Sequence, residues 1–375
     1  MIYLDYSANT PASPGVLERF CEVERSCPGN ANSRHQAGRE AKLVIDHATQ
    51  NIAGLLGAQP AEVIYTSGAS EANNFALKGL AKLSRHAGRH IISTPLEHSS
   101  VSGTLTALQE QGYEIDLVDI KRDGTIDLDH LKELLRPDTI AVAVTMVDSE
   151  LGVVQPLQEI AEILKEYPHC HLHVDATQAV GKIPVSFEGV DTMSLTAHKF
   201  YGLNGIGLLL KRRNLALEPL IHGGESTTIY RSGTPTVALA SSLALALELA
   251  VEQLPEHAEA VQKANTFLRT ELAKYPKVRI NSPENAIPHI LNLSVQDVKG
   301  TVFQRELNEE GVCVSVKSAC SSDGLPSRAV FAVSRDRRNA LSSWRVSLSH
   351  RTTEEDLRGF LAAFDRCYRG LTETK

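Results

Sequence analysis

Three absences narrow the possible roles of this chain. Lys and Arg total 38 against 45 Asp and Glu, the formal net charge is −7 and no basic tail occurs, which argues against a nucleic-acid-binding surface. The most apolar stretch, residues 235–247, is too short to span a bilayer and predicts a buried helix. The six cysteines show no disulfide spacing, so most are expected to be buried thiols.

The beginning of the chain lacks the pattern of a targeting segment. Its first residues, MIYLDY, contain no basic region followed by an apolar core, so we expect no signal peptide and a cytoplasmic protein. A length of 375 residues exceeds what one simple core accommodates and fits a large domain with a smaller one.

Strand-like and helix-like segments alternate over the first 250 residues. The strand-like runs are apolar and rich in β-branched residues, and they occupy residues 62–66, 90–94, 114–119, 139–147, 171–175, 192–196 and 206–211. Helical stretches such as 157–166 separate several of them, which predicts a mainly parallel sheet covered by helices. Such sheets bind ligands at the carboxyl ends of their strands, so functional motifs are expected there.

The remaining segments predict helices at both ends of the chain and a few later strands. An early helix is expected to begin at Pro14 with Ser13 as its N-cap. Residues 252–274 predict a long helix leading into a second domain. Short strands are expected at 290–295 and 344–348, followed by a terminal helix.

The first strand-end motif is TSGASE at residues 66–71. A strand ends, a glycine forms the turn and a helix begins, so free backbone N–H groups could bind a phosphate with help from the Ser70 hydroxyl. Taken alone, the motif is equally typical of an ordinary capped turn between a strand and a helix.

The second strand end carries Asp175, with Gln178 three residues further on. A carboxylate there can pair with a protonated ring nitrogen, as pyridoxal phosphate (PLP) requires in order to accept electrons. A simple N-cap aspartate is the alternative. The nearby His and Cys residues at 169–173 resemble a metal cluster, but only His171 and His173 share a strand face, so no metal site is predicted.

The third strand end carries Lys199, directly after the strand at 192–196. An amine that is desolvated or held near other cations loses its proton and can form a Schiff base. The glycine-rich segment 202–207 does not open a helix, so it predicts a hairpin-like turn rather than a dinucleotide site.

A fourth candidate is Cys320, in a small, polar, glycine-containing stretch that predicts an exposed loop. Lys317 nearby would favour the thiolate form of this cysteine. From this stretch alone, an incidental surface cysteine is the simpler interpretation.

Taken together, these segments resemble the cysteine desulfurases, PLP enzymes of fold type I within the class V aminotransferase-like group. The resemblance covers nearly the whole chain, and the joint order of the motifs is far more specific than any one of them. The matching segments are residues 3–11, 29–33, 66–71, 97–98, 152–155, 173–178, 198–199, 231–234, 318–320 and 345–348.

The resemblance implies an α/β fold with two domains. A large PLP-binding domain at residues 15–250 would contain a mainly parallel seven-stranded sheet. A smaller α+β domain, made of residues 1–14 and 251–375, would carry the catalytic cysteine loop.

The resemblance also implies a cofactor site. Lys199 would carry PLP covalently, Asp175 would pair with the ring nitrogen, and Gln178 would bond the ring oxygen. His98 would stack on the ring and handle protons. The cofactor phosphate would be bound by Ala69, Ser70, Thr196 and His198, and Thr234 would reach the phosphate of a partner subunit in a homodimer.

For the substrate, the resemblance implies L-cysteine. Arg345 would bind its carboxylate in a bidentate pair, with Asn30 and Ser149 also at the substrate. Cys320 would attack its sulfur, leaving a persulfide and alanine. The Ser-Ala-Cys form with a long following loop belongs to the type that passes sulfur to acceptor proteins for iron–sulfur clusters and thiolated tRNA.

The chain departs from the family pattern beside the substrate. The family has Asn-Asn-Glu where this chain has Asp148, Ser149 and Glu150, and a serine is too short to replace the second amide. Asp148 would repel a carboxylate if it faced the cleft. A PLP-dependent C–S lyase or selenocysteine lyase-like enzyme therefore stays an alternative, as does a degenerate non-catalytic homologue.

Overall fold

The computed structural model of this protein describes residues 1–317 and 325–373. In chain order its strands are β1 (Ile2–Tyr3), β2 (Val63–Thr66), β3 (His90–Ser93), β4 (Glu114–Leu117), β5 (Thr139–Thr145), β6 (His171–Asp175), β7 (Thr192–Thr196), β8 (Gly207–Lys211), β9 (Val278–Ile280), β10 (Ile290–Val295), β11 (Val312–Cys313) and β12 (Ser343–Ser347). Its helices are α1 (Pro14–Ser26), α2 (Gln36–Leu56), α3 (Ala69–Leu83), α4 (Ser99–Gln109), α5 (Leu128–Leu134), α6 (Leu157–Leu164), α7 (Val237–Glu252), α8 (Leu254–Leu272), α9 (Gly300–Glu309), α10 (Arg328–Ser334), α11 (Arg337–Ser342) and α12 (Glu354–Thr372).

All seven strands predicted in the first 250 residues lie in one sheet, in the order β2-β8-β7-β6-β5-β3-β4. Only β8 runs antiparallel to its neighbours β2 and β7, so the predicted mainly parallel α/β sheet is confirmed. Every residue of β5 and β7 is buried, as expected of strands covered by helices on both faces. The turn after Lys199 reverses the chain into β8, as the glycine-rich segment predicts.

A second hydrophobic core lies apart from the large sheet. It surrounds the antiparallel sheet β12-β10-β9, which is covered by α8, α9 and α12. Phe303 and Trp344 stack with their ring centroids 5.1 Å apart, and Leu4 from the beginning of the chain is fully buried among them. Two separate cores accord with two domains, whose exact boundaries stay a prediction.

The predicted helix at 252–274 begins slightly later than expected. A proline in its first turn starts α8, and a bend of 65° separates α8 from the apolar, buried α7. Among the described helices, no single one is long and apolar enough to cross a membrane, although this bent pair meets the length and composition requirement together. Helix α1 begins at Pro14 as predicted, but the Ser13 side chain makes no capping hydrogen bond.

Candidate active site

A cavity of about 350 Å3 opens at the carboxyl ends of β2, β5, β6 and β7. We call it the main cavity. It is lined by Ser7, Ala8, Ser67, Gly68, Ala69, Ser70, Glu71, Leu96, His98, Ser100, Thr145, Ser149, Asp175, Thr177, Gln178, Thr196, His198, Lys199 and Arg345. The sheet edge predicted from the sequence therefore brings three of the four strand-end and loop candidates together.

Asp175 lies at the end of β6 and is only 4% exposed. One carboxylate oxygen accepts a hydrogen bond from the backbone N–H of Thr177 at 2.9 Å, and the other accepts one from Asn73 Nδ2 at 2.9 Å. The Thr177 bond is of the kind expected of a helix-capping aspartate, but the fully buried Asn73 bond is not. The carboxylate is thus held in a fixed orientation at the base of the main cavity.

Asn73, on α3, connects Asp175 to a network of buried polar groups. Its Nδ2 also donates to Ser100 Oγ at 2.9 Å. Its Oδ1 accepts hydrogen bonds from the Ser194 hydroxyl and from His173 Nε2, the latter at 3.0 Å. We call Asp175, Asn73, Ser100, His173 and Ser194 the floor.

His173 is part of this hydrogen-bonded floor. Its Nδ1 pairs with Thr192 Oγ1 at 2.9 Å, and burial lowers its pKa, so the ring is neutral. Within residues 1–317 and 325–373, no three His, Cys, Asp or Glu side chains converge as metal ligands. Both ring nitrogens of His173 are therefore hydrogen-bonded, Nδ1 to Thr192 and Nε2 to Asn73.

One end of the main cavity lies at the N-terminus of α3. Ala69 and Ser70 form the first turn, where backbone N–H groups lack helical partners. Thr196 Oγ1 pairs with His198 Nδ1 at 3.1 Å beside them, and burial lowers the pKa of His198 to about 4. Gly207 is required here, since a Cβ at this position would lie 2.7 Å from the Gly68 Cα.

Lys199 extends from the turn after β7 into the cavity. Its Nζ donates to the carbonyl oxygens of Ser7 and Ala8, both at 2.7 Å. Gln178 Nε2 donates to the same Ser7 oxygen at 2.9 Å, and Gln178 Oε1 accepts from Lys182 Nζ at 2.5 Å. The N-terminal segment therefore orients both Lys199 and Gln178.

His98 is the N-cap of α4 and projects into the main cavity. Its Nδ1 accepts the backbone N–H of Ser100 at 3.1 Å and lies 2.9 Å from the Ser100 hydroxyl. Neutral His98 therefore carries its proton on Nε2. Burial lowers its pKa, while the Asp175 charge opposes that effect and the Lys199 charge adds to it.

Arg345 and its partners form the other side of the cavity. Arg345 Nη2 donates to Asp5 Oδ1 at 2.9 Å, and Nη1 donates to the Ser149 carbonyl at 2.7 Å. The guanidinium is 1% exposed, and its Nε has no hydrogen-bond partner among the described residues. We call Asp5, Ser149 and Arg345 the mouth.

Asp148 does not face the cleft. Its carboxylate accepts hydrogen bonds from the backbone N–H groups of Glu150, at 3.2 Å, and Leu151, at 2.5 Å, and so caps the turn that carries Ser149. Burial raises its pKa to about 7. The repulsion considered for a cleft-facing Asp148 therefore does not apply.

Two predicted residues in the described part of the chain do not line the main cavity. Asn30 and Thr234 are exposed, and Asn30 Oδ1 accepts the backbone N–H of Asn32 at 2.9 Å. Thr234 follows Arg231, which pairs with Glu71 at the first turn of α3 at 3.0 Å. Cys320 lies outside the described residues, and the roles of all three stay predictions.

The segments that flank Cys320 are nevertheless anchored beside the mouth. Ser315 Oγ donates to Asp5 Oδ2 at 2.7 Å, and Ser315 forms a backbone bridge with Arg345. On the other side, Ser327 Oγ donates to Glu150 Oε2 at 2.6 Å. Both described neighbours of the cysteine segment thus bond to residues at or next to the mouth.

Sequence reasoning missed Asn73, Asp5 and Lys182. Asn73 lies among Ala72, Phe75 and Ala76 on the buried face of α3. A lone amide on an apolar helix face is the signal that points to it. No comparable local signal identifies Asp5, since its partner Arg345 is 340 residues away.

The family model described as "Aminotransferase class-V" matches residues 2–360. The chain is 38% identical over 370 residues to "Cysteine desulfurase IscS" of Dictyoglomus turgidum, which covers 97% of this chain and 94% of the relative. The chain belongs to the cysteine desulfurase family. A further family member of this name, from Proteus mirabilis, is 39% identical over 365 residues, covering 95% of this chain and 90% of the relative.

Solved structures of cysteine desulfurase relatives share the fold. A "NIFS-LIKE PROTEIN" matches with a TM-score of 0.92 and 34% identity, covering 99% of this chain and 100% of that one. A structure described as "SspA in complex with cysteine" matches with a TM-score of 0.83 and 31% identity, covering 94% of this chain and 100% of that one. The predicted family and fold class are thereby confirmed.

Proposed function

We propose that this chain is a PLP-dependent cysteine desulfurase that converts L-cysteine to L-alanine and leaves the sulfur as a persulfide on Cys320. The observation that carries the proposal is the spacing of three groups around one cavity: the α3 N-terminus, the Asp175 carboxylate and the Lys199 amine. Membership of the cysteine desulfurase family supports the same reaction.

The donors and acceptors of the main cavity fit PLP. The α3 N-terminus and the Ser70 hydroxyl suit a phosphate, because they offer hydrogen-bond donors, and the one carboxylate in that turn, Glu71, is paired with Arg231. Asp175 suits a protonated ring nitrogen, and Lys199 would hold the cofactor covalently. Thr177 Oγ1 is buried in the cavity lining without a partner among the described residues. It could therefore accept or donate a bond to a bound group.

When bound, PLP accepts the electrons released as the substrate loses its α-proton. The chain's own residues bind the substrate, orient it and protonate it. Arg345 faces the cavity with Nε still available to a carboxylate, and Asp5 balances its charge. Lys199, once released from the cofactor, provides an amine that can carry the α-proton. His98, with its proton on Nε2, can donate to a reacting atom of the substrate.

The sulfur transfer assigned to Cys320 balances without an external oxidant. The Cys320 thiolate forms a bond to the substrate sulfur, and the Cβ–S bond breaks with its electron pair left on the carbon side. A proton then completes alanine, and the enzyme keeps an S–S–H group. The anchoring of Ser315 and Ser327 beside the mouth supports this role for the segment between them.

We further propose a homodimer and a sulfur-acceptor protein as partners. Thr234 is exposed, three residues from Arg231, which is tied to the first turn of α3. An exposed hydroxyl outside the main cavity suits a contact with a partner subunit's cofactor phosphate. Acceptor proteins would take the persulfide sulfur, and the cytoplasmic location stays a prediction.

The test is to incubate the purified protein with L-cysteine and measure alanine together with protein-bound persulfide. The proposal predicts alanine and persulfide from the wild type, and PLP retention without persulfide from Cys320→Ser. Cys21→Ser, a partly exposed thiol on α1, is the matched control. Pyruvate with free sulfide would instead assign a C–S lyase, the alternative favoured by Ser149. A protein that binds no PLP would contradict both.

A further inference from the structure

A second cavity lies on the opposite side of Lys199 from the floor. It is enclosed between the end of α7, the first turn of α8 and the segments that precede β10 and follow β12. Its volume is about 50 Å3, room for a few water molecules or one small ion. We call it the histidine cavity, because its lining includes His257, His289 and His350.

The histidine cavity is lined by groups that can be cationic and by no acids. Besides the three histidines, its walls include Lys182, Lys199 and Arg351. None of the described residues that line it is Asp or Glu. The main cavity, by contrast, contains the Asp175 carboxylate. With no carboxylate among the described residues of the walls, an anion that enters meets no opposing charge from them, and the histidines can take up protons to balance it.

The aromatic walls of the cavity are packed. The His257 and His350 rings stack with their centroids 3.5 Å apart and an interplanar angle of 9°. Tyr201 shares a hydrogen bond of 2.5 Å with Ser349, and the Arg351 guanidinium lies 4.9 Å from the Tyr201 ring centroid. These contacts fix the groups around the space before any ligand arrives, which lowers the entropy cost of binding.

His289, in the wall of this cavity, has a buried polar atom without a hydrogen bond to any described residue. The side chain lines the cavity and the residue is 6% exposed, yet its Nδ1 has no hydrogen-bond partner in the described part of the chain. A buried polar atom without a hydrogen bond destabilises the fold. A ligand that accepts a hydrogen bond from Nδ1–H would remove that destabilisation.

We propose that the histidine cavity binds one small oxyanion of the size of sulfate or phosphate, held by His289, His350, Arg351 and Lys182. Lys199 lines both cavities, so an anion in the histidine cavity lies beside the Lys199 amine. The site is separate from the phosphate-binding end at the α3 N-terminus, which lies on the other cavity.

Binding at this site is linked to protonation. Burial lowers the pKa of His289 to about 3 and of His350 to about 4, with neighbouring positive charge adding to both shifts. Burial also lowers the pKa of Lys182 and of His257, although Glu256 opposes the shift of His257. A bound anion adds negative charge beside the histidines and raises their pKa values, so they take up protons when it binds.

The remaining titratable groups that face the cavity do not supply negative charge at neutral pH. Burial raises the pKa of Tyr201 to about 12, and burial also raises the pKa of Tyr6. Tighter binding at lower pH is therefore expected, by roughly tenfold per pH unit for one coupled proton.

The experiment uses the PLP-saturated protein, so that cofactor occupies the phosphate end of the main cavity. Sulfate is the probe, because it keeps its double charge from about pH 6 to about pH 8, the range around the ordinary histidine pKa. Chloride at equal ionic strength is the reference. Titration calorimetry in two buffers of different ionisation enthalpy measures both affinity and protons taken up. We expect saturable sulfate binding, proton uptake and a dissociation constant that falls as pH falls.

Two variants locate the binding. His289→Asn is expected to weaken sulfate binding about tenfold and to reduce the proton uptake. Arg351→Gln provides an independent variant on another wall, with an expected loss of similar size. The matched control is His169→Asn, which should bind sulfate like the wild type. His169 is exposed and precedes the amino end of β6, whereas the main cavity lies at the carboxyl end of that strand.

The proposal is overturned if sulfate shows no saturable binding beyond that of chloride. It is also overturned if binding occurs with the same affinity and proton uptake in His289→Asn, Arg351→Gln and His169→Asn. That second result would place the anion elsewhere, for example at Arg345.

Discussion

The floor of the main cavity takes its side chains from the centre of the seven-stranded sheet, from α3 and from the start of α4. The mouth instead joins Asp5 and Arg345, from the two ends of the chain, to the turn after β5 that carries Ser149. Asp175 and Ser194 lie on neighbouring parallel strands, so their proximity follows from strand pairing. Asp5 and Arg345 meet only because the beginning of the chain packs against β12. The arrangement of the floor is therefore fixed by local sheet geometry, and that of the mouth by long-range packing.

The two regions also differ in how completely their polar groups are paired. On the floor, Asn73 makes four hydrogen bonds to four different neighbours. At the mouth, Arg345 keeps an unpaired buried Nε. A fully bonded network holds one arrangement, while a guanidinium with one N–H group left unbonded has a donor to spare for a further acceptor. Substitutions in the two regions should therefore have different kinetic signatures.

Lys199→Ala is expected to give the largest effect, because it removes the amine beside the floor altogether. We expect no measurable alanine production from L-cysteine and loss of the visible absorption of the bound cofactor. Lys165→Ala, on the exposed surface after α6, is the control and should retain both. Wild-type absorption and turnover in Lys199→Ala would show that another lysine holds the cofactor.

Asp175→Asn breaks the floor while keeping the shape of the side chain. The variant loses the charge that would stabilise the cofactor ring, and it places an amide donor near the donating Asn73 Nδ2. A hydrogen bond to a charged group contributes roughly 1.5–3 kcal/mol, so kcat should fall about a hundredfold. Steady-state kinetics measure the fall in kcat, and the cofactor content of the purified variant measures how well PLP is held.

The control for that variant is Asp129→Asn, whose carboxylate is exposed on α5. If Asp175→Asn changed KM for cysteine but left kcat intact, the floor would be part of the substrate site instead.

Ser149→Asn tests the mouth. The Ser149 carbonyl already accepts from Arg345, and its side chain lines the cavity where the family has an amide. Because Asp148 is turned into the protein, an added amide meets no opposing carboxylate from that residue. Restoring it should raise kcat/KM for cysteine about tenfold. An equal or lower kcat/KM in a folded variant would mean that the mouth is built around serine.

Glu97 is buried near Asp175 of the floor and near Asp148, the neighbour of Ser149 at the mouth. Its substitution is expected to give the smallest effect on rate and to act on stability instead. Its Oε1 accepts from Thr94 Oγ1 and from the backbone N–H of Thr145, both at 2.8 Å. Burial, with smaller contributions from the charges of Asp175 and Asp148, raises its pKa to about 8.

As pH rises, the Glu97 carboxyl ionises first in the unfolded chain. The unfolded state then binds fewer protons than the folded state, so the free energy of unfolding falls from roughly pH 4.5 up to about pH 8. Glu97→Gln should reduce that slope by at most about 1.4 kcal/mol per pH unit. Denaturant unfolding at several pH values measures it. Glu159→Gln, exposed on α6, should leave it unchanged, and an unaltered slope in Glu97→Gln would contradict the buried neutral carboxyl.

The residues alone pointed to Asp175 and Lys199 for a physical reason, whereas Arg345 and Ser149 at the mouth came only from the family resemblance. Residues at strand ends, such as Asp175 and Lys199, are fixed by the alternation of strands and helices, which leaves a clear periodic pattern. The pairing of Asp5 with Arg345 leaves no such pattern. Asp148 shows the same limit, since its acidic side chain suggested repulsion in the cleft but caps a turn instead.

The fold was predictable to within a few residues at most element ends. Strands β6, β7 and β10 begin and end where their apolar runs predict. The sequence predicted the order of elements along the chain but not the order of strands in the sheet, which depends on crossover connections. The histidine cavity was likewise beyond prediction, because its three histidines come from segments far apart in the chain.

The central claim is that Lys199, between the floor and the histidine cavity, holds the cofactor. Borohydride reduction of the PLP-loaded protein, followed by peptide mass mapping, tests it directly. Lys182 is the internal comparison, because its amine bonds Gln178 and it lines the histidine cavity rather than the main one. We predict the pyridoxyl mass on the peptide that contains Lys199. Its presence on Lys182, or on neither lysine, would contradict the account.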